Sequence, residues 1–296
     1  MFATHFMHTS VAFVILNYQS YQDTIRVTKE ILAFDQEDFR IIIIDNASPN
    51  ESFDKLNRTF DGNHNVTVVK NDSNNGYAKG NNVGLRYLKC IEPTYVCVIN
   101  NDVHFTLQTI NSLCKWYEIL PAPAVISPVQ ILPNKEIAQI ATLEIPTLCY
   151  DLRTYTVLFQ PPKHKYAPNT NIRNVQKVGI VPGAFVFIKY KLFEDIGFFD
   201  EDTFLFCEER FLGRKVAINN YNNYIILNET YIHEHSKTIN KESSKLMQQE
   251  YLFDGKIRFW KKYSSIPRVA ILLLTIMKTI YDVEIKLLKG IKSIIR

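Results

Sequence analysis

The chain has 296 residues, 46% hydrophobic and 22% charged, with a formal net charge of +4. That composition suits a globular chain of one large or two modest domains and argues against disorder, collagen or coiled coil as a reading of the whole. With 34 basic against 30 acidic residues, the excess is too slight to make nucleic acid a partner.

The apolar run Val11 to Leu16 predicts a buried parallel strand, closed by Asn17-Tyr18. Residues 21–33 carry Ile25, Val27, Ile31 and Leu32 among polar residues, the pattern of an amphipathic helix. Arg40 to Ile44 predicts a second strand, stopping at Asp45-Asn46-Ala47-Ser48-Pro49. A helix over 52–60, a strand over 66–69, a helix over 81–90 and a strand over 95–99 follow, the last ending at Asn100-Asn101-Asp102. This alternation predicts an α/β fold with a mainly parallel sheet covered on both faces. From about residue 120 prolines cluster and loops with short strands are expected, until an apolar stretch at Val178 to Tyr190 around Pro182-Gly183. An acidic, aromatic block runs from Phe198 to Arg210, and a polar segment over 236–250 precedes an apolar, basic C-terminus.

Five scattered cysteines, with no C-x-x-C pair, predict free thiols in a reducing compartment. The N-terminal MFATHFMHTS lacks the basic and apolar regions of a secretory signal. The first glycine is Gly62, so neither a G-x-G-x-x-G turn nor a P-loop follows an early strand.

In an open α/β sheet, ligands bind beyond the carboxyl ends of the strands. Asn17-Tyr18, Asp45-Asn46 and Asn100-Asn101-Asp102 all stand at such ends and would face one crevice. A carboxylate at Asp102 can give one hard oxygen to Mg²⁺ or Mn²⁺, which take further ligands from water and substrate phosphates. An Asx turn capping the next helix is the plainer alternative. Between Asn74 and Gly84, Gly76 and Gly80 permit close backbone approach and Lys79 adds a cation. The amides of Gly80 to Asn82, at the expected helix start, would favour an anion.

The series V-I-L-N-Y, I-I-I-I-D-N-A-S, N-N-G-Y-A-K-G-N-N-V-G and V-I-N-N-D-V resembles the inverting glycosyltransferase family 2, whose fold is GT-A. The later blocks Gly183-Ala184-Phe185, Ile196 to Glu201, Phe204 to Glu209 and His233-Glu234-His235-Ser236 agree in order and spacing, so the likeness covers roughly residues 11 to 240. The resemblance implies that Asn17 and Tyr18 line the nucleotide base, that Asp45 bonds the pyrimidine, and that Lys79, Asn81 and Asn101 belong to the nucleotide side. Asn100-Asn101-Asp102 stands for the family's D-x-D with Asn in first place, which leaves Asp102 as the metal's carboxylate. His233 matches the histidine that completes the metal or diphosphate site, with His235 as its near alternative. Glu209 matches the catalytic base, with Glu208 beside it, and Arg210 departs from the family pattern in a way that could reflect the acceptor. The implied reaction is inverting transfer of a hexose from a UDP- or dTDP-sugar, with Mn²⁺ or Mg²⁺, to an acceptor hydroxyl in bacterial surface polysaccharide synthesis.

The apolar run Val269 to Met277 is too short to span a bilayer. On a helix, Lys278, Asp282, Lys286 and Lys289 share one stripe, which predicts either a helix in the membrane interface or one packed on its own domain or on a second subunit. The expected organisation is a GT-A domain over 1–240, with a nucleotide-binding half at about 10–120 and an acceptor half at 121–240, then a helical segment over 241–296. The expected setting is cytoplasmic, peripheral on the inner face of the membrane, with a lipid-linked oligosaccharide acceptor and a possible homodimer. Two rivals remain: a sugar nucleotidyltransferase, which would need a Gly- and Arg-rich loop where Asn17-Tyr18-Gln19-Ser20 stands, and a non-catalytic sugar-nucleotide binder or scaffold.

Overall fold

The computed structural model describes residues 10–156, 159–234 and 245–294, apart from the side chains of 245–246 and 287–294. The reading of the first nine residues and the alternative at His235 fall outside these. The N-terminal half runs β1 (Val11–Asn17), α1 (Tyr21–Leu32), β2 (Phe39–Asp45), α2 (Ser52–Phe60), β3 (Val66–Lys70), α3 (Gly76–Tyr87) and β4 (Tyr95–Ile99). Strands β3, β2, β1 and β4 lie side by side, all parallel, as the alternation predicts. Their unbroken apolar runs have a direct cause. Phe13, Ile15, Ile41, Ile43 and Cys97 face one core, while Ala12, Val14, Ile42, Ile44, Val96 and Val98 face the other. Burial on both faces removes the alternation of polar and apolar residues, and each Val, Ile or Phe among them contributes about 1.5–3 kcal/mol.

The chain continues through β5 (Val103–His104), α4 (Leu107–Ile119), β6 (Pro123–Ile131), α5 (Leu148–Arg153), β7 (Val175–Val178), β8 (Phe185–Lys189), α6 (Tyr190–Asp195), α7 (Glu208–Ile218) and β9 (Asn222–His233). This half extends the sheet from β4 through β8, β6, β9 and β5, with β7 also on β9. Here β8 is antiparallel to β4 and β6, whereas β6 and β9 are parallel. Two C-terminal helices, α8 (Lys245–Tyr263) and α9 (Pro267–Ile294), complete the described chain.

One helix sits elsewhere than expected. Instead of 81–90, α3 covers Gly76–Tyr87. Gly76 holds φ +86, and a Cβ there would lie 2.0 Å from the Phe204 carbonyl oxygen. A glycine alone lets the loop before α7 lie this close, and the Tyr77 amide donates to that same carbonyl (2.8 Å). The amides of Gly80 to Asn82 are therefore inside the helix, and the anion-binding helix start expected there does not form.

Candidate active site

At the carboxyl ends of β1 and β2, Asn17 and Asp45 are register partners, both fully buried. The Asn17 amide donates to Asp45 Oδ2 (2.8 Å), Thr24 donates to Asn17 Oδ1 (2.8 Å), and the Ser48 amide donates to Asp45 Oδ1 (3.0 Å). These bonds satisfy the buried carboxylate and amide, which would otherwise be costly to desolvate, and they fix the floor of the crevice. Tyr18 is half-exposed beside it and Lys79 is exposed. Asn81 is fully buried; its nitrogen donates to the Tyr77 carbonyl (3.0 Å), while its Oδ1 has no partner among the described residues. The Asn101 amide donates to Ser20 (2.8 Å) and Thr24 (2.9 Å), tying the turn after β4 to the start of α1.

That turn presents Asp102. Because β5 pairs with the end of β9, Val103 stands opposite His233, and Asp102 Oδ1 lies 3.1 Å from His233 Nε2. The two residues are 131 positions apart and both nearly buried. Tyr231 donates to Gln130 Oε1 (3.1 Å), which turns the Gln130 amino group toward His233 Nδ1 (3.2 Å), while the Asn100 side-chain nitrogen lies 3.4 Å from His233 Nε2. The donor set fits a hard divalent ion. Asp102 would offer a carboxylate oxygen and His233 an imidazole nitrogen, and a bound ion would supply charge neutralisation beside a diphosphate. Gln130 would orient the His233 ring from its Nδ1 side. Among the described residues no third carboxylate, histidine or cysteine joins the pair, so other ligands would come from water and phosphate oxygens.

The second chemical element is the acid pair at the start of α7. Phe206 (φ 68) and Cys207 (φ 73) are consecutive left-handed residues immediately before it, a conformation that costs L-residues about 1–2 kcal/mol each. The turn is held from both sides. Gly76 receives Phe204, and Gly255 of α8 lies so close that a Cβ would be 2.9 Å from Cys207. Glu208 is buried and its Oε1 accepts from the Phe206 amide (3.0 Å). Burial, then the neighbouring Glu209, pushes its carboxyl up to about 8. Glu209 stays partly exposed and rests against Gly183, where a Cβ would be 3.0 Å from its Oε1. Burial raises its pKa too, opposed by a hydrogen bond from the Gly183 backbone and by the Arg210 charge. Tyr77 donates to the Gly183 carbonyl (2.7 Å) and the Asn100 amide to the Ala184 carbonyl (3.1 Å). The turn before β8 thus meets the Asn100-Asn101-Asp102 turn at Ala184 and Glu209 at Gly183.

Arg210 points away from this crevice. It makes a two-pronged ion pair with Asp151 of α5 (2.7 and 3.1 Å), and Trp260 of α8 donates to the same carboxylate (2.7 Å). Its departure from the family pattern therefore serves the attachment of α8. A separate cavity of about 560 Å³ opens near the far end of α7, beside Glu144, Lys177 and Tyr221. Its Asn169, Asn222 and Asn223 amides are committed to backbone carbonyls.

A family model described as Glycosyl transferase family 2 matches residues 12–197. The chain belongs to glycosyl transferase family 2. Its fold is that of GT-A glycosyltransferases. A low-salt glycan biosynthesis hexosyltransferase, Agl10 of Haloferax volcanii, is 27% identical over 205 residues, 69% of this chain and 60% of the relative. This family member therefore spans less than two thirds of the curated relative it matches. Among solved structures, GalNAc-T7 with UDP, GalNAc and Mn²⁺ superposes with a TM-score of 0.67 at 11% identity, over 88% of this chain and 49% of that one. The mannosyltransferase PcManGT of Pyrobaculum calidifontis, with GDP-Man and Mn²⁺, gives 0.58 at 13% identity, over 97% and 80%. S. aureus TarS with UDP-GlcNAc gives 0.56 at 12%, over 90% and 70%.

Of the residues singled out in the sequence, the family 2 fold brings Asn17 to Asp45, Asp102 to His233, and Glu209 to Gly183. The sequence did not point to Gln130 or Asp151. Gln130 is a lone polar residue near the end of an apolar strand, a weak signal; Asp151 sits in a short, otherwise unremarked helix.

Proposed function

We propose that the chain transfers a hexose, with inversion, from a UDP- or dTDP-sugar to a hydroxyl of a lipid-linked oligosaccharide during surface polysaccharide assembly. The setting proposed is the cytoplasmic face of the membrane. The observation that carries the proposal is the meeting of the Asn100-Asn101-Asp102 turn and of Glu209 with the turn at Gly183-Ala184. Inversion is a single displacement at the anomeric carbon, so it needs a base on the acceptor side and charge neutralisation on the leaving-group side.

In this reading Glu209 Oε1 takes the proton of the attacking hydroxyl. Its raised pKa makes it a stronger base than an exposed carboxylate, and Gly183 fixes its orientation. Glu208, committed to the Phe206 amide, shapes the turn that presents Glu209. Asp102 and His233 would hold Mn²⁺ or Mg²⁺, which supplies neutralisation of the charge growing on the departing diphosphate. Asn17, Tyr18 and Asp45 form the floor for the pyrimidine. Asn81, with its unpaired buried oxygen, and Lys79 and Asn101 flank the nucleotide side. The H. volcanii relative's name supports a hexose, and the neighbours' bound nucleotide sugars support the donor class.

Thermal unfolding of the full chain against a panel of UDP-, dTDP- and GDP-sugars, with and without Mn²⁺, tests this. A ligand at 100 times its Kd adds about 2.7 kcal/mol to stability. A Mn²⁺-dependent rise in Tm with one pyrimidine sugar is expected. No shift with any donor would refute donor binding, and a shift without turnover on any acceptor would favour a non-catalytic binder.

A further inference from the structure

Helix α9 carries 28 residues, a rod about 42 Å long. Its inner face is polar as well as apolar. Ala270 and Leu274 are fully buried, and Lys278 is clamped by Glu250 (2.9 Å) and Asp282 (2.8 Å) over the Phe253 ring. Of the charged stripe read in the sequence, Lys278 and Asp282 take the packed alternative against the protein, while Lys286 is exposed. The outer face carries Val269, Leu272, Leu273, Ile276, Ile280 and Val283, each between 38% and 59% exposed. This reverses the usual order of a surface helix, and a contiguous apolar stripe of this length marks an interaction surface.

We propose that this outer face docks on an anionic lipid bilayer. The proposal deepens the membrane setting given above and rests on it, but its test needs no turnover. Charge identifies the occupant. Arg268 and Lys286 are exposed on α9, whereas its acids Asp282 and Glu284 are half-buried, so every charge it fully exposes among its described side chains is positive. From residue 245 onward the chain has 11 basic and four acidic residues, a net +7 in a chain of net +4. No helix of the described residues is long and apolar enough to cross a membrane, so α9 would lie in the interface with its apolar face among the acyl chains and its cations at the headgroups. A second copy fits less well. Pairing the stripe with itself would bring Arg268 and Lys286 near the same residues of the copy, while the Asp282 carboxylate is already held by Lys278 (2.8 Å).

The test is sedimentation of the full chain with phosphatidylcholine vesicles, with and without phosphatidylglycerol, at low and high salt, alongside light scattering for oligomeric state. Wild type should bind the phosphatidylglycerol vesicles and lose binding as salt rises. The double variant Arg268→Ala/Lys286→Ala should bind about thirtyfold more weakly, since each cation near an anionic surface contributes about a factor of five. Leu272→Gln/Ile276→Gln should abolish binding without lowering Tm, because both side chains are exposed. Wild type that ignores anionic vesicles at low salt, or binding that survives both double variants, overturns the proposal. A dimer that Leu272→Gln/Ile276→Gln dissociates, in a protein that ignores vesicles, assigns the face to a second copy and also overturns it. Neither outcome touches donor binding, which the thermal panel reads separately.

Discussion

Replacing Asp151 by alanine would show how firmly the C-terminal helices belong to the catalytic fold. Asp151 is fully buried, and α5, α7 and α8 converge on its carboxylate. It accepts two hydrogen bonds from Arg210 and one from Trp260, with Lys256 Nζ 3.7 Å away. The Arg210 and Lys256 side chains are only 8% and 4% exposed. Asp151→Ala therefore strands two buried cations without their anion. Breaking a buried pair in this way costs about 3–5 kcal/mol, a large part of the roughly 5–15 kcal/mol that holds a folded chain together. Urea unfolding of the full chain should show a loss of that size, and limited proteolysis should cut first within α8. The double variant Asp151→Ala/Arg210→Met should recover part of the loss, because the two effects share one interaction. A loss below about 1 kcal/mol for Asp151→Ala would refute the view that this carboxylate anchors α8.

Gly76→Ala should lose at least about 2 kcal/mol and most activity, because its Cβ collides with the Phe204 backbone; Gly62→Ala, at a similar φ but with open space around it, should lose only about 1–2 kcal/mol. Equal losses in denaturation would show that the contact with the acid loop is unimportant. Glu208 carries a pKa raised from 4.5 to about 8. Between those values the folded chain keeps a proton that the unfolded chain has lost, so stability falls as pH rises through this window. Glu208→Gln removes that dependence, and its Tm should gain on wild type between about pH 5 and pH 8; parallel Tm curves would contradict the raised pKa. Gln130→Leu should weaken Mn²⁺ binding about 10–100-fold, measured by calorimetry with nucleotide present, and should also cost about 1–3 kcal/mol of metal-free stability by stranding the buried Tyr231 hydroxyl. Unaltered Mn²⁺ affinity would remove Gln130 from the site.

The runs in β1, β2 and β4 were legible because burial on both faces leaves a continuous apolar signal, and their polar ends include Asn17 and Asp45, which the fold pairs. What escaped the sequence depends on partners far along the chain. The start of α3 is set by a contact between Gly76 and a backbone 128 residues away. The joining of Asp102 to His233 follows from the pairing of β5 with β9, which no local pattern records; here the resemblance, rather than spacing, supplied the histidine. Periodicity in α9 shows that one side is charged but not which side turns inward. That is decided by Glu250, on another helix, pulling Lys278 toward the protein. Arg210 read as a departure tied to the acceptor because its partner Asp151 lies 59 residues earlier.

The central claim is that Glu209 is the base of a metal-assisted, inverting transfer. Its most direct test is nucleoside diphosphate release from the donor found in the thermal panel, with Mn²⁺ and an oligosaccharide acceptor, comparing wild type with Glu209→Gln and reading the product's anomeric configuration by NMR. The variant keeps shape and loses basicity, so kcat should fall about 10²–10⁴-fold while the donor's thermal shift persists, and the wild-type product should carry the inverted configuration. Full turnover by Glu209→Gln, or a product with the donor's configuration retained, would contradict the account.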